Sequence, residues 1–85
     1  MPYQIFIKRS AEKELDALPA RIRERIIRRL MALEADPRLP GTKKLQGEDA
    51  FRLRVGDYRV LYTIEDQTRI ITIYAIGHRS EVYRG

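Results

Sequence analysis

The sequence predicts an α+β domain in which a helical hairpin covers one face of a mainly antiparallel sheet. Three observations carry this: a β-forming run near the N-terminus, a helical apolar period from Ala20 to Ala35, and a switch to two-residue alternation in the last third. The expected order is β-α-α-β-β-β: an N-terminal strand, the helical hairpin, then a three-stranded antiparallel meander. No repeat, low-complexity tract or linker interrupts the chain, so residues 1–85 read as a single domain.

Tyr3 to Ile7 is rich in β-formers and reads as the first strand. Ser10 then offers an N-cap for a helix from Ala11 to about Leu18, with Glu12 near its positive end. Pro19 interrupts the pattern. From Ala20 to Ala35, Ile22, Ile26, Ile27, Leu30 and Leu33 recur at helical spacing, while Arg21, Arg25 and Arg28 gather on another side. This basic stripe reads as a solvated face ahead of a nucleic-acid contact, and Glu24 stands four residues before Arg28, a supportive spacing. Asp36-Pro37 ends the helix, because proline disfavours helical geometry in the residue before it. Residues 38–49, with Pro40, Gly41 and Gly47, read as a loop carrying Lys43 and Lys44.

Phe51, Leu53 and Val55 alternate with Arg52 and Arg54; Tyr58, Val60, Tyr62 and Ile64 alternate with Arg59, Leu61 and Thr63; Ile71, Ile73 and Ala75 continue the pattern. Tight turns are expected at Gly56-Asp57 and around Asp66-Gln67. A two-residue loop at Gly56-Asp57 sets Arg54 directly opposite Arg59, with Arg52 two residues along on the same face. A turn centred on Asp66-Gln67 sets Tyr74 beside Arg59. Like charges directly opposite are destabilising, so such a cluster fits an anion bound between the guanidiniums better than three side chains splaying into water. The carboxylates of Glu48, Asp49, Asp57 and Glu81 are rival partners. Gly77 breaks the last strand, and the tail beyond it is expected to fold back and bring His78, Arg79 and Tyr83 towards the Arg face.

Composition bounds the rest. A chain of 85 residues with 17 Lys plus Arg against 12 Asp plus Glu carries a formal charge of +5. Of the cations, 13 are Arg and 4 are Lys, which favours phosphate or acidic partners, since the guanidinium fork matches phosphate and stays charged. A domain this small buries only about 60% of its unfolded surface. With no Cys, disulfide bracing, thiolate catalysis and Cys-based zinc sites are excluded, and a single His cannot build a His-rich metal site. No metal or cofactor is expected. No basic segment leads into a long apolar run at the N-terminus, and the stretch from Ile70 to Ile76, broken by Thr72, is too short to span a bilayer. A cytoplasmic protein without a membrane partner is expected.

The segment Lys44-Leu45-Gln46-Gly47, the run from Phe51 to Tyr62 (FRLRVGDYRVLY) and the ending Gly77-His78-Arg79-Ser80-Glu81-Val82-Tyr83 closely resemble the RelE/ParE superfamily of bacterial and archaeal toxins. The opening from Lys8 to Leu15 and Leu18-Pro19 are similar too, so the resemblance follows the family's order along nearly the whole chain. It implies the toxin of a type II toxin–antitoxin pair. RelE-type members are ribosome-dependent endoribonucleases that cut messenger RNA in the decoding site; ParE-type members poison DNA gyrase. By resemblance, Arg52 and Arg54 match the family's strand-two cations, Arg59 the strand-three Arg, Arg79 the tail Arg and Tyr83 the tail Tyr, a set that favours the ribonuclease. Lys43, Lys44 and Tyr74 are expected to contact RNA. Arg replaces the common Lys at positions 52 and 54, which keeps charge but removes a proton donor. His78 resembles a catalytic His of some relatives. The implied partners are a RelB-like antitoxin, mRNA on the ribosome and rRNA, with DNA gyrase as the alternative target; a non-catalytic RNA-binding relative is the remaining alternative.

Overall fold

A computed structural model of the chain describes residues 2–45, 47, 49–78 and 80. The elements are β1 (Gln4–Ile7), α1 (Arg9–Asp16), α2 (Ala20–Ala35), β2 (Thr42–Lys44), β3 (Ala50–Val55), β4 (Tyr58–Glu65) and β5 (Ile70–His78). The α+β class and the helical hairpin stand as expected. The sheet is larger and mixed: its five strands run in the order β1-β5-β4-β3-β2, with β1 parallel to β5 and the other pairs antiparallel.

The extra strand, β2, lies within the segment expected to be loop. Thr-Lys-Lys has no apolar alternation to announce it; pairing with β3 makes it a strand, and its lysines suit a solvent-facing sheet edge. The α1 boundary also differs. The helix begins at Arg9, with Lys8 in the cap position, no side-chain cap bond, and Ser10 inside the first turn. The second helix spans the expected residues, with Pro19 before its first turn and Asp36 leaving helical geometry ahead of Pro37.

Both helices cover one sheet face. Ala11 and Leu15 of α1 and Ile26, Leu30 and Leu33 of α2 close over Leu53, Val55, Val60, Tyr62, Ile71, Ile73 and Ile76. Tyr62 lies at the bottom of this core, its ring 5.8 Å from that of Phe51 and its hydroxyl donating to the Pro37 carbonyl at 2.8 Å. Burial pushes its phenol up to about 12.

Two connections set the register. Gly56-Asp57 is a two-residue hairpin loop with Gly56 at φ +61°, a geometry glycine adopts without steric cost, and it pairs Val55 with Tyr58 and Arg54 with Arg59. The second turn departs from expectation. It is a four-residue loop, with Glu65 paired to Ile70, and a β-bulge follows where Leu61 pairs with Ala75 but Tyr62 with Ile73. Tyr74 is the extra residue of the bulge. Because strand faces alternate, one inserted residue reverses the face of everything after it. Ile76 consequently joins the core, and Ala75 turns to the outer face opposite Leu61. Beyond Ile73 the β5 backbone has outrun β1, and Glu14 of α1 accepts the Ile76 N–H at 2.9 Å in a strand's place.

Asp66 ties three segments together. Its carboxylate accepts the Tyr3 hydroxyl at 2.7 Å and the Arg38 guanidinium at 3.3 and 3.0 Å. The Arg38 hydrogen bond, then that of Tyr3, holds the Asp66 carboxyl below its ordinary value of 3.8. A depressed carboxylate contributes stability present above that ordinary value and lost as pH falls through the lowered one. Asp66→Asn should therefore flatten the acid limb of the stability profile below about pH 4, read as a smaller shift of the urea midpoint between pH 6 and pH 3 than in the parent. Equal shifts in both proteins would remove Asp66 from the acid response.

Candidate nucleic-acid interface

The sheet face away from the helices collects cations because the alternation that puts Leu53, Val55 and Val60 into the core puts their neighbours outside. Arg52 and Arg54 come from β3 and Arg59 from β4, with Arg54 directly opposite Arg59. β2 adds a fourth: Lys43 is directly opposite Arg52. Two adjacent rows thus each hold two like charges directly opposite, a destabilising placement.

Arg59 is the sharpest member. It is 7% exposed, the only charged side chain found buried among the described residues, and its Nε and Nη1 atoms are buried, as is Nε of Arg52. Leu61 and Ala50 are also buried on this face, while Arg54 and Lys43 are exposed. On the far side of Arg59, β5 supplies Gly77, so that neighbour adds no side chain to the row. A buried guanidinium on the same face as the half-buried Arg52 and the exposed Arg54 and Lys43 is an arrangement for holding a multiply charged oxyanion. Such an anion relieves the repulsion and accepts several forks at once.

The other expected site residues divide. Lys44 pairs with Phe51, so it lies on the helix-side face at the sheet edge, 3.9 Å from Asp49, and is not part of the cluster. Tyr74 sits at the bulge; the position beside Arg59 belongs to Gly77. His78 is not brought to the Arg face. The bulge turns it to the helix side, opposite Tyr58, whose ring meets the imidazole edge to face at 5.5 Å. There it lines a pocket of about 510 Å³ with Glu14 and Leu18, and its Nδ1 accepts the Ser80 N–H at 3.3 Å. Arg79 and Tyr83, and the rival carboxylates Glu48 and Glu81, lie outside the described residues.

Sequence reasoning missed the role of Lys43 as the partner of Arg52, since the strand that fixes it has no pattern of its own. It also kept the arginines of α2 apart from the sheet. In the structure Arg54 meets Arg25, Arg28 and Arg29 around one groove of about 320 Å³ floored by Val55. No helix of the described residues is long and apolar enough to cross a membrane.

Comparison with known proteins shows the family. The family model for the ParE toxin of type II toxin–antitoxin systems, parDE, matches residues 5–83. The toxin RelG of Mycobacterium tuberculosis is 34% identical over 87 residues, covering 99% of each chain. The mRNA interferase toxin RelE of Escherichia coli K12 is 29% identical, covering 98% of this chain and 92% of its own. Among solved structures, the toxin–antitoxin complex RelBE2 of M. tuberculosis superposes with a TM-score of 0.82 at 32% identity, over 93% of this chain and 100% of its counterpart. With the family model spanning nearly the whole chain and RelE-type relatives aligned end to end, this protein belongs to the ParE toxin family of type II toxin–antitoxin systems and is a RelE-like toxin of the RelE/ParE superfamily.

Proposed function

We propose that this toxin is a ribosome-dependent endoribonuclease that cuts messenger RNA in the decoding site, with a RelB-like antitoxin as its cognate partner. The observation that carries the reading is the doubled like-charge pairing on the outer sheet face, Lys43 with Arg52 and Arg54 with the buried Arg59. The naming of the E. coli relative as an mRNA interferase supports the activity, and the RelBE2 complex supports the partner.

The chemistry that suits these residues is transesterification by the RNA itself. The 2′-oxygen attacks the adjacent phosphorus, its proton passes to a base, the bond from phosphorus to the 5′-oxygen breaks, and that oxygen takes up a proton. The products are a 2′,3′-cyclic phosphate and a 5′-hydroxyl, and no metal takes part. Arg54 and Arg59, joined by Arg79 of the tail, stabilise charge building on the non-bridging oxygens. One preorganised donor of this kind is worth about 3 to 4 kcal/mol in such chemistry. Arg52 stands beside the leaving oxygen as an electrostatic partner, not as an acid, because its guanidinium does not deprotonate. Tyr83 orients the 2′-hydroxyl or receives its proton. Proton transfer by His78 is left out, because the imidazole faces the helices.

The test is cleavage of a defined message on programmed ribosomes, with end mapping and a gyrase supercoiling assay in parallel. Cuts in the decoding site that leave cyclic phosphate and 5′-hydroxyl ends are expected, and they should disappear with Tyr83→Ala. Inhibition of supercoiling without cuts would assign the toxin to gyrase. Salt-sensitive RNA binding without products would make it a binding protein only.

A further inference from the structure

The arginines of α2 do not all have the same work. Arg23 donates to the Asp16 and Leu18 carbonyls and so pins the start of α2 to the end of α1. Arg29 donates to the Pro40 carbonyl, and the approach is so close that a Cβ at Gly41 would come within 2.8 Å of its Nη2. Gly41 has φ +98°, so the turn needs glycine there. Among the described residues Arg25 and Arg28 make no such bond, and none of Arg25, Arg28, Arg29 or Arg54 forms an ion pair with a carboxylate.

These four arginines line one groove with Val55, and among the described residues no carboxylate lines it with them. Positions 25, 28 and 29 share a helix face, and Arg54 projects from the strand beside it, just past the end of the short β2. Arg54 therefore belongs to both the groove and the pair with Arg59, and links them into one basic track around the sheet edge.

We propose that this groove is a second RNA site, which holds a backbone phosphodiester of the same strand at a fixed distance from the bond to be cut. The proposal rests on the ribonuclease reading and extends it from the scissile phosphate to its flank. The lining decides the partner's class. A protein partner's contact needs a desolvated apolar centre, but the apolar residue here, Val55, is 3% exposed and already spent in the core. A lining of guanidiniums over a closed floor is the make-up of a nucleic-acid contact, where phosphate neutralisation dominates. Arg29, anchored by Pro40, sets the geometry, while Arg25 and Arg28 supply movable charge.

The experiment compares the parent, the double variant Arg25→Gln with Arg28→Gln, and Arg59→Leu. Affinity for a twelve-residue 2′-O-methyl RNA, which lacks the attacking hydroxyl and stays intact, is read by fluorescence anisotropy across a salt series. Two lost phosphate contacts on a single strand should lower the slope of log K against log salt by about 1.4. On programmed ribosomes the double variant should raise KM and keep kcat, whereas Arg59→Leu should lose kcat. Both exchanged side chains are exposed, so the urea midpoint should stay at the parent value. A double variant with the parent's salt slope overturns the proposal. So does a double variant that keeps its RNA affinity but loses affinity for a glutamate-rich peptide or for inorganic phosphate. If the parent cuts no message, the ribonuclease reading fails, and the salt slope still decides whether the groove holds RNA.

Discussion

Replacing Arg59 by leucine is expected to lower message cleavage by about a hundredfold to a thousandfold, the usual cost of one preorganised oxyanion donor, while leaving the protein as stable as before or more so. Both halves follow from its position. Arg59 is 7% exposed and stands directly across from Arg54, so the folded protein holds a like-charge cross-strand pair. Leucine fills much of the same volume without the charge. Relief of one such pair is worth about 0.2 to 1 kcal/mol, and the urea midpoint should rise or hold. A purely structural arginine predicts the reverse, with lost stability and activity falling only as the protein unfolds. A folded Arg59→Leu that still cuts at the parent rate would end the catalytic assignment of this face. Lysine at position 59 should restore binding more than rate, since a point charge keeps the electrostatic attraction but loses the bidentate fork.

Tyr62→Ala is expected to cost about 3 to 5 kcal/mol, as removal of a large buried aromatic ring does. A chain of 85 residues has a total stability of only about 4 to 13 kcal/mol at the usual 0.05 to 0.15 per residue. The variant should therefore be partly or wholly unfolded at 37 °C. Tyr62→Phe separates the ring from its hydroxyl. The ring stays stacked on Phe51, the Pro37 carbonyl loses its donor, and the loss should be about 1 kcal/mol. Urea denaturation of the two variants checks this directly. Equal losses would mean that the hydroxyl, not the packed ring, fixes the core. The phenol also has a pH signature. A raised pKa contributes stability that is complete below the ordinary value of 10.0 and lost as pH rises towards about 12. Tyr62→Phe should lack that component of the alkaline limb.

Much of the architecture is legible because it repeats a local period. The span of α2 follows from apolar spacing and two prolines, and the Arg54–Arg59 pairing follows from one glycine-containing turn. The β2 strand is not legible, because Thr-Lys-Lys becomes a strand only through hydrogen bonds to β3. The parallel partnership of β1 with β5 is likewise invisible, as it joins residues some 66 positions apart, Gln4 with Ile70, with nothing local to announce it.

The candidate site divides along the same line. Composition and alternation alone determine that the chain is small, basic and without cysteine, and that Arg52, Arg54 and Arg59 share a face, since a two-residue period and a two-residue turn leave no other arrangement. Only the tertiary structure decides that Lys43 completes the cluster, that His78 turns away from it, and that Arg54 reaches the arginines of α2. The physical reason is the same each time. A face is fixed by strand pairing, and one bulged residue at Tyr74, accompanied by the Glu14 carboxylate on the Ile76 amide, reverses the alternation by which His78 would have been placed.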